Sequence, residues 1–176
     1  MTFIRSEDSQ KKIGHWMLAI SWIIVLAILT LVFRKWEYNQ LNPNQNIYSS
    51  TNKNNVIEIL LSQNKWGHYV FNGKINDKTV EFLLDTGASE VSIPEHLAQD
   101  LNLKSGAPLH RFTANGTIEV YSSNISSLRI GDIQLRDVFA TINPNMKQSQ
   151  ILLGMSALKQ VEFIQRDGTL IIKQYR

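Results

Sequence analysis

One segment of the chain combines a strand-like run with residues that can carry out acid–base chemistry. Residues 80–84 have the composition of a β-strand and run directly into Asp85, Thr86, Gly87 and Ala88. A carboxylate that ends a strand and precedes a turn of small residues is held rigidly, while its oxygens face a cleft. We therefore take Asp85 as the candidate catalytic residue and Thr86, Gly87 and Ala88 as the loop that presents it.

Hydrolysis of an amide at mild pH needs one group that takes a proton from water and another that gives a proton to the carbonyl oxygen. Two carboxylates about 3 Å apart can do both, because they cannot both ionise and so share one proton. The chain supplies a single Asp-[Ser/Thr]-Gly segment, since Asp132 and Asp167 lie in other contexts. The pair must then come from two chains, and a two-fold dimer brings both copies of Asp85 to its axis. The alternative interpretation is an ordinary exposed aspartate in a strand-ending turn.

Other kinds of chemistry find little support in the residues. The chain has no cysteine, which excludes disulfides, thiolate chemistry and cysteine-ligated zinc. Its four histidines lack the spacing of a zinc site. No serine lies in a Gly-x-Ser-x-Gly elbow, and no phosphate-binding loop occurs. We expect neither a metal nor a cofactor.

The positive charge of the chain is confined to its first third. Residues 1–55 hold six bases and three acids, which accounts for the whole net charge of +3, while residues 56–176 hold twelve of each. The basic balance therefore belongs to the flanks of an apolar stretch. It does not indicate a nucleic-acid-binding face.

That apolar stretch, residues 16–33, contains no charged side chain. As a helix it reaches about 27 Å, close to the roughly 30 Å hydrocarbon core of a bilayer. Trp16, Trp36 and Tyr38 stand where interfacial aromatics anchor a spanning helix. We predict a transmembrane helix at 16–33 behind a short tail at 1–15, with the rest of the chain exported. A cleaved signal peptide is the alternative, although a basic pair follows the stretch in place of a small-residue cleavage site.

Residues 34–55 are predicted to form a flexible linker. The part from Glu37 to Asn55 is rich in Asn, Gln and Ser and has no apolar periodicity, so it cannot bury enough surface to offset the entropy of ordering. Such a segment is also a natural site of self-cleavage if the folded domain hydrolyses peptides.

Residues 56–176 alternate short β-type runs with turn signals, which predicts an all-β domain. A helix is predicted at 94–103, where Pro94 occupies the first turn. Hairpin turns are expected where Asn, Asp and Gly tolerate positive φ, at residues 76–77, 115–116, 131–132 and 167–168. The predicted strands are 56–61, 68–75, 79–84, 117–124, 127–130, 133–142, 150–153, 161–165 and 169–173.

Three segments of this domain resemble the retropepsin-like aspartic proteases, the single-lobe homodimeric relatives of pepsin. They are Leu-Leu-Asp-Thr-Gly-Ala at 83–88, Phe-Thr-Ala-Asn-Gly-Thr at 112–117 and the apolar-apolar-Gly turn within 151–158. Together with the apolar N-terminal stretch, they make the chain most similar to the bacterial, single-pass membrane-anchored subgroup. The shared proton of the two catalytic carboxylates is established behaviour for aspartic proteases as a class.

The resemblance implies an acid-protease lobe, a closed β-barrel with one or two short helices, acting as a membrane-anchored homodimeric endopeptidase on polypeptides. It implies that Asp85 is catalytic, that Thr86 braces the two active-site loops and that Gly87 contacts substrate. Leu153 and Gly154 would form a structural turn, and the domain would lie on the periplasmic side of a bacterial inner membrane. A flap closing over the peptide would be formed by Thr113, Ala114, Asn115 and Gly116.

Two features depart from the viral members of the family. Those members have a glycine-rich flap and an arginine after the apolar-apolar-Gly triplet, whereas this chain has one flap glycine and Met155-Ser156. The second functional hypothesis is a peptide-binding module that keeps the fold without turnover and takes extended peptides by strand addition.

Overall fold

The computed structural model describes residues 7–52, 54–113 and 116–175. The chain divides into two units, Met1–Gln40 and Leu41–Arg176. The predicted flap residues Ala114 and Asn115 lie outside the described residues, as do residues 1–6 of the predicted tail.

The described residues of the first unit, 7–40, lie in one long helix. Helix α1 spans Glu7–Leu41, and its segment His15–Leu41 is long enough to cross a membrane, with a mean hydropathy of 2.6 in its most apolar window. The large apolar side chains of this segment are exposed, unlike those of a core helix. The helix could be a membrane anchor or a signal sequence. It runs past residue 33 because residues 34–41 contain no Pro or Gly, and Pro43 is the first helix breaker.

The second unit is mostly β-structure with two short helices, α2 at Glu95–Ala98 and α3 at Met155–Leu158. Its strands are β1 Ser49–Thr51, β2 Val56–Ser62, β3 Val70–Ile75, β4 Lys78–Leu84, β5 Val91–Pro94, β6 Pro108–Thr113, β7 Gly116–Ile130, β8 Ile133–Asn143, β9 Ile151–Leu153, β10 Glu162–Arg166 and β11 Thr169–Tyr175. The predicted all-β class with one or two short helices is confirmed.

Seven strands form one sheet in the order β3-β4-β9-β5-β8-β7-β6. The sheet closes into a barrel because β3 also pairs with β7, at Lys74 with Arg129 and at Ile75 with Leu128. Within it, β4 pairs with β9 and β5 with β8 in parallel, while the other neighbours are antiparallel. This pairing gives the β3 edge a partner, while β6 remains the edge strand at the other end of the sheet. The core includes the tilted rings of Phe71 and Phe82, whose centroids are 5.6 Å apart.

A second, four-stranded sheet has the order β1-β2-β11-β10. The strands alternate between core and solvent, so that Ile57, Ile59 and Leu61 of β2 are fully buried while Leu60 is exposed. Strands β2 and β11 pair along their whole length. The sheet joins the two ends of the domain and covers one side of the barrel core.

The positions of the turns follow the predicted chemistry. Asn76 and Asp77 both adopt positive φ between β3 and β4, and Asp167 and Gly168 do so between β10 and β11. Gly131 does the same between β7 and β8, where Ile130 faces Ile133. Positive φ at both turn positions matches the twist of the flanking strands.

Three details differ from the sequence prediction. The strands predicted at 117–124 and 127–130 form one strand, β7, because its polar middle pairs with β8. The helix predicted at 94–103 has only four residues, Glu95–Ala98, since the chain turns through Asn102 at φ 56°. Strands β1, β5 and β6 were not predicted, because β1 and β5 have only three and four residues and the apolar residues of β6 are interrupted by His110 and Arg111.

Part of the segment predicted as a linker packs against the domain. Asn42 and Asn44 are buried. The Asn44 side chain donates 2.8 Å hydrogen bonds to the carbonyl oxygens of Ser62 and Val70 and accepts one from the Ser62 N–H at 2.8 Å. The Asn42 amide donates to Glu81 at 2.7 Å. Composition alone does not predict that this segment is ordered, because the hydrogen-bond partners of Asn42 and Asn44 lie at least 18 residues away along the chain.

Candidate active site

Asp85 follows directly on β4 at the end of the parallel β4–β9 pair. The ladder continues one step beyond the strand, since the Asp85 N–H donates to the Leu153 carbonyl oxygen at 3.1 Å. Asp85 as a residue is half-buried, and its Oδ1 accepts a 2.9 Å hydrogen bond from the Gly87 N–H. Asp85 is thus held by the sheet through its backbone and by its own turn through its side chain.

The loop after Asp85 is tight and open to solvent. The Ala88 N–H donates to the Asp85 carbonyl oxygen at 3.2 Å, which closes the turn. Thr86 and Gly87 are exposed, while Ala88 is half-buried. The exposure of Thr86 and Gly87 leaves this side of the loop open to a further chain or a substrate.

Gly154 permits a close approach between the β9–α3 turn and the loop after Asp85. A Cβ at this position would lie 2.3 Å from the Glu90 carbonyl oxygen and 2.7 Å from that of Ala88. Both contacts are with backbone, so no side chain can move aside. Leu153, which precedes it, is fully buried in the core. The predicted structural turn at Leu153 and Gly154 therefore lies directly against the loop that carries Asp85.

Ser156 ties the same loop to the barrel, a role that the sequence analysis missed. Its buried hydroxyl donates to the Phe139 carbonyl oxygen at 2.7 Å and accepts from the Val91 N–H at 3.0 Å. Ser156 thus joins β8 and β5 through its side chain. The available signal was a lone polar residue within Met-Ser-Ala-Leu, the otherwise apolar segment that forms α3.

A cavity of about 610 Å³ opens beside Asp85. Gly87 and Ala88 line it on one side, and Ile118, Val120 and Leu152 give it apolar walls. Glu90 is the other carboxylate among its described lining residues. A volume of this size accommodates several side chains of an extended peptide.

One wall of the cavity comes from the β6–β7 hairpin, the segment predicted as the flap. Thr113 lies in the cavity wall, and its hydroxyl donates to the Gly116 carbonyl oxygen at 2.8 Å across the end of the hairpin. Gly116 has a φ of 108°, which favours glycine. Phe112 also lines the cavity, although 90% of its surface is exposed.

Glu90 and Arg111 form an ion pair in the same cavity, and neither was singled out from the sequence. The Arg111 Nε lies 2.5 Å from Glu90 Oε1. The Glu90 side chain is 12% exposed and that of Arg111 is 36% exposed. The pair connects the loop after Asp85 with the hairpin opposite, across 21 residues of chain.

Within the described residues there is no cluster of three or more His, Asp or Glu side chains that could hold a metal ion. The cavity presents one carboxylate in a strand-ending turn, a charge-paired second carboxylate and apolar walls. Such a concave surface, with apolar walls and a few polar groups, has the general form of a ligand-binding site.

A family model matches the part of the chain that contains this cavity. Residues 71–160, just over half of the chain, match the family model described as "gag-polyprotein putative aspartyl protease". The chain belongs to this family. The match runs from β3 through the Asp85 loop and the β6–β7 hairpin to the end of α3.

Two relatives are bacterial proteins. An uncharacterized protein in the cobV 5′ region of Sinorhizobium sp. is 31% identical over 112 residues, which cover 61% of this chain and 48% of that protein. The uncharacterized protein RP867 of Rickettsia prowazekii (strain Madrid E) is 30% identical over 125 residues, covering 68% of this chain and 52% of that protein. The chain spans about half the length of these curated relatives.

Among solved structures, the crystal structure of a retropepsin-like aspartic protease from Rickettsia conorii matches with a TM-score of 0.56. The sequences are 23% identical, and the match covers 73% of this chain and 95% of that one. This likeness confirms the retropepsin-like fold predicted from the sequence.

Proposed function

We propose that this retropepsin-like protein is an aspartic endopeptidase whose catalytic water is held between two Asp85 carboxylates, one from each protomer of a homodimer. The observation that carries the proposal is the position of Asp85, fixed by the β4–β9 ladder in the wall of a 610 Å³ cavity. Membership of the aspartyl protease family supports the reaction class.

The need for a second protomer follows from the charges in the cavity. Glu90 is the other carboxylate lining it, and Arg111 neutralises Glu90. Because the Arg111 guanidinium already pairs with the Glu90 carboxylate, Glu90 is a poor candidate for the second carboxylate that the reaction needs. The resemblance to the retropepsin-like proteases implies a homodimer, in which a second copy of Asp85 supplies the missing acid. Thr86 would brace the two loops, and Gly87 and Ala88 would contact substrate.

Mixing wild-type chains with Asp85→Asn chains tests the shared site. The full-length proteins are unfolded together, refolded into detergent micelles at fixed total concentration, and assayed on an unbiased peptide library. If each site needs two Asp85 residues, activity falls as the square of the wild-type fraction, to about one quarter at an equal mixture. A linear fall to one half would contradict the shared site.

The same experiment distinguishes the peptide-binding module. Wild-type chains that dimerise yet cleave no member of the library, while binding extended peptides, would exclude the peptidase. Binding by strand addition needs no ionisable group at position 85, so Asp85→Asn would then bind as the wild type does.

We further propose that α1 is an uncleaved membrane anchor that exports residues 41–176 to the periplasmic side of a bacterial inner membrane. The length and hydropathy of His15–Leu41 support a spanning helix. An N-terminally tagged chain that keeps its full mass and resists alkaline extraction from membranes is the expected result. Loss of the tag on export would show a signal sequence instead.

A further inference from the structure

We propose that Glu90 and Arg111 are a positioning pair that holds the β6–β7 hairpin against the Asp85 cavity and thereby sets the affinity for substrate. The part concerning affinity rests on the proposed peptidase function, while the part concerning the hairpin does not.

The β6–β7 hairpin buries little of its surface against the barrel. Four of the six residues of β6 are exposed, among them Phe112 at 90%. The outer part of β7, from Gly116 to Glu119, is also exposed or half-buried. Little apolar surface therefore holds this hairpin to the barrel, because the hydrophobic contribution scales with buried apolar area.

The Glu90 carboxylate holds the hairpin in place through its contact with Arg111. Its side chain is 88% buried, and its contact with Arg111 is a charge-assisted hydrogen bond of 2.5 Å. When the hairpin moves away, the carboxylate loses its partner while its own position, five residues after Asp85, stays fixed. A buried charge without a partner is strongly disfavoured, so the closed arrangement is favoured.

The position of the pair links it to substrate binding. Glu90 and Arg111 both line the cavity that contains Asp85. A peptide held between the hairpin and the Asp85 loop is retained only while the hairpin stays closed. Breaking the pair should thus weaken binding of the ground state and leave the chemical step at Asp85 unchanged.

Spin labels can measure the hairpin directly, because the natural chain has no cysteine. Cysteines are introduced at Thr117 on the hairpin and at Lys159 after α3, both exposed positions. Labelled full-length chains are diluted with unlabelled chains in detergent micelles, and the distance distribution between the two labels is recorded. The variants are Arg111→Gln, Glu90→Gln, the double variant and Arg111→Lys.

For the wild type we expect one narrow distribution of distances between the two labels. In each single glutamine variant, the population at longer distance should be roughly ten-fold larger than in the wild type, as expected for the loss of one charged hydrogen bond. The double variant should resemble the single ones, and Arg111→Lys should stay mainly closed.

Arg129→Gln, which breaks the Arg129–Asp77 pair at the other end of β7, is the matched control and should match the wild type. Identical distributions in all variants would overturn the proposal. If Glu90→Gln does not fold, comparing the distance distributions of Arg111→Gln and Arg111→Lys tests the same contact.

The kinetic test uses a peptide that the wild type cleaves. For Arg111→Gln we expect KM to rise about ten-fold and kcat to change less than two-fold. Equal losses of kcat and kcat/KM, or an unchanged KM with an opened hairpin, would refute the link to affinity. A wild type that cleaves nothing would refute the peptidase, while the distance measurement would still decide whether the pair holds the hairpin.

Discussion

The backbone N–H of Met155 donates a 2.8 Å hydrogen bond to the carbonyl oxygen of Ala88. Two residues earlier, Leu153 accepts the hydrogen bond of the Asp85 N–H. The turn from β9 into α3 therefore binds the Asp85 loop on both sides of its bend. The position of the candidate catalytic carboxylate depends on residues nearly 70 positions further along the chain.

Gly154→Ala tests this dependence most severely. The added methyl group would meet two backbone carbonyl oxygens at 2.3 and 2.7 Å, so the loop or the turn must shift. We expect a loss of roughly 2–3 kcal/mol in the free energy of unfolding, together with loss of peptidase activity. Chemical denaturation and the peptide assay measure the two effects. Gln160→Ala, an exposed change just after α3, is the control, and equal stability of both variants would contradict the close contact.

Ser156→Ala removes the hydroxyl that joins β5 to β8. The Val91 N–H would lose its acceptor in a buried site, which costs about 1–3 kcal/mol. Ser50→Ala, in the exposed part of β1, should change the free energy of unfolding by less than about 0.5 kcal/mol. Denaturation midpoints that fall equally in the two variants would show that Ser156 is not a brace.

Asp85→Asn should separate fold from activity. The asparagine oxygen can still accept the hydrogen bond from the Gly87 N–H, so we expect the free energy of unfolding to stay within about 0.5 kcal/mol of the wild type. Peptide cleavage should disappear. For the wild type, a carboxylate pair with one proton predicts a bell-shaped dependence of kcat/KM on pH. A variant that cleaves at the wild-type rate would remove Asp85 from the mechanism.

Asn44→Ala examines the segment that follows α1. It deletes three hydrogen bonds to Ser62 and Val70 and leaves the Ser62 N–H without its acceptor. We expect about 2 kcal/mol less stability and faster cleavage of the 42–52 segment by an added protease. Asn46→Ala, an exposed asparagine two residues away, should behave as the wild type. Equal cleavage rates of Asn44→Ala and the wild type would instead support the flexible linker predicted from composition. They would also support the hypothesis of self-release between Glu37 and Asn55.

Tyr175 should titrate above its ordinary range. Its hydroxyl donates a 2.5 Å hydrogen bond to Glu162, and this bond together with the carboxylate charge raises the pKa of Tyr175. A pKa raised by folding means that the contribution to stability is present below the unfolded-state pKa, about 10, and is lost as pH rises through the folded value. The titration of Tyr175 is followed by tyrosinate absorbance, and Tyr175→Phe identifies its signal. In Glu162→Gln the midpoint pH of this titration should be lower than in the wild type. An unchanged midpoint would contradict the hydrogen bond.

Local signals in the sequence were enough for much of the fold. Asn76-Asp77 and Asp167-Gly168 mark turns through backbone preference alone, and the strand before Asp85 is read from its own residues. The braces of the candidate site are different, because Ser156 and the Glu90–Arg111 pair act only across distant strands. Asn44 has the composition of a linker and becomes ordered only when Ser62 and Val70 are beside it. Tertiary partners of this kind leave no periodic pattern in a single sequence.

Strand β7 changes partner along its length. Tyr121 faces Pro108 of β6 and also Ile142 of β8, and just beyond it Ser122 exchanges backbone hydrogen bonds with Gly106 and Ala107. Beyond Tyr121 the hairpin continues as a two-stranded ribbon of five residue pairs, from Leu109–Val120 to Thr113–Gly116, over about 17 Å. The cavity therefore opens by bending of this two-stranded ribbon once the Glu90–Arg111 contact is broken, so the stiffness of the ribbon adds to the resistance that the ion pair supplies.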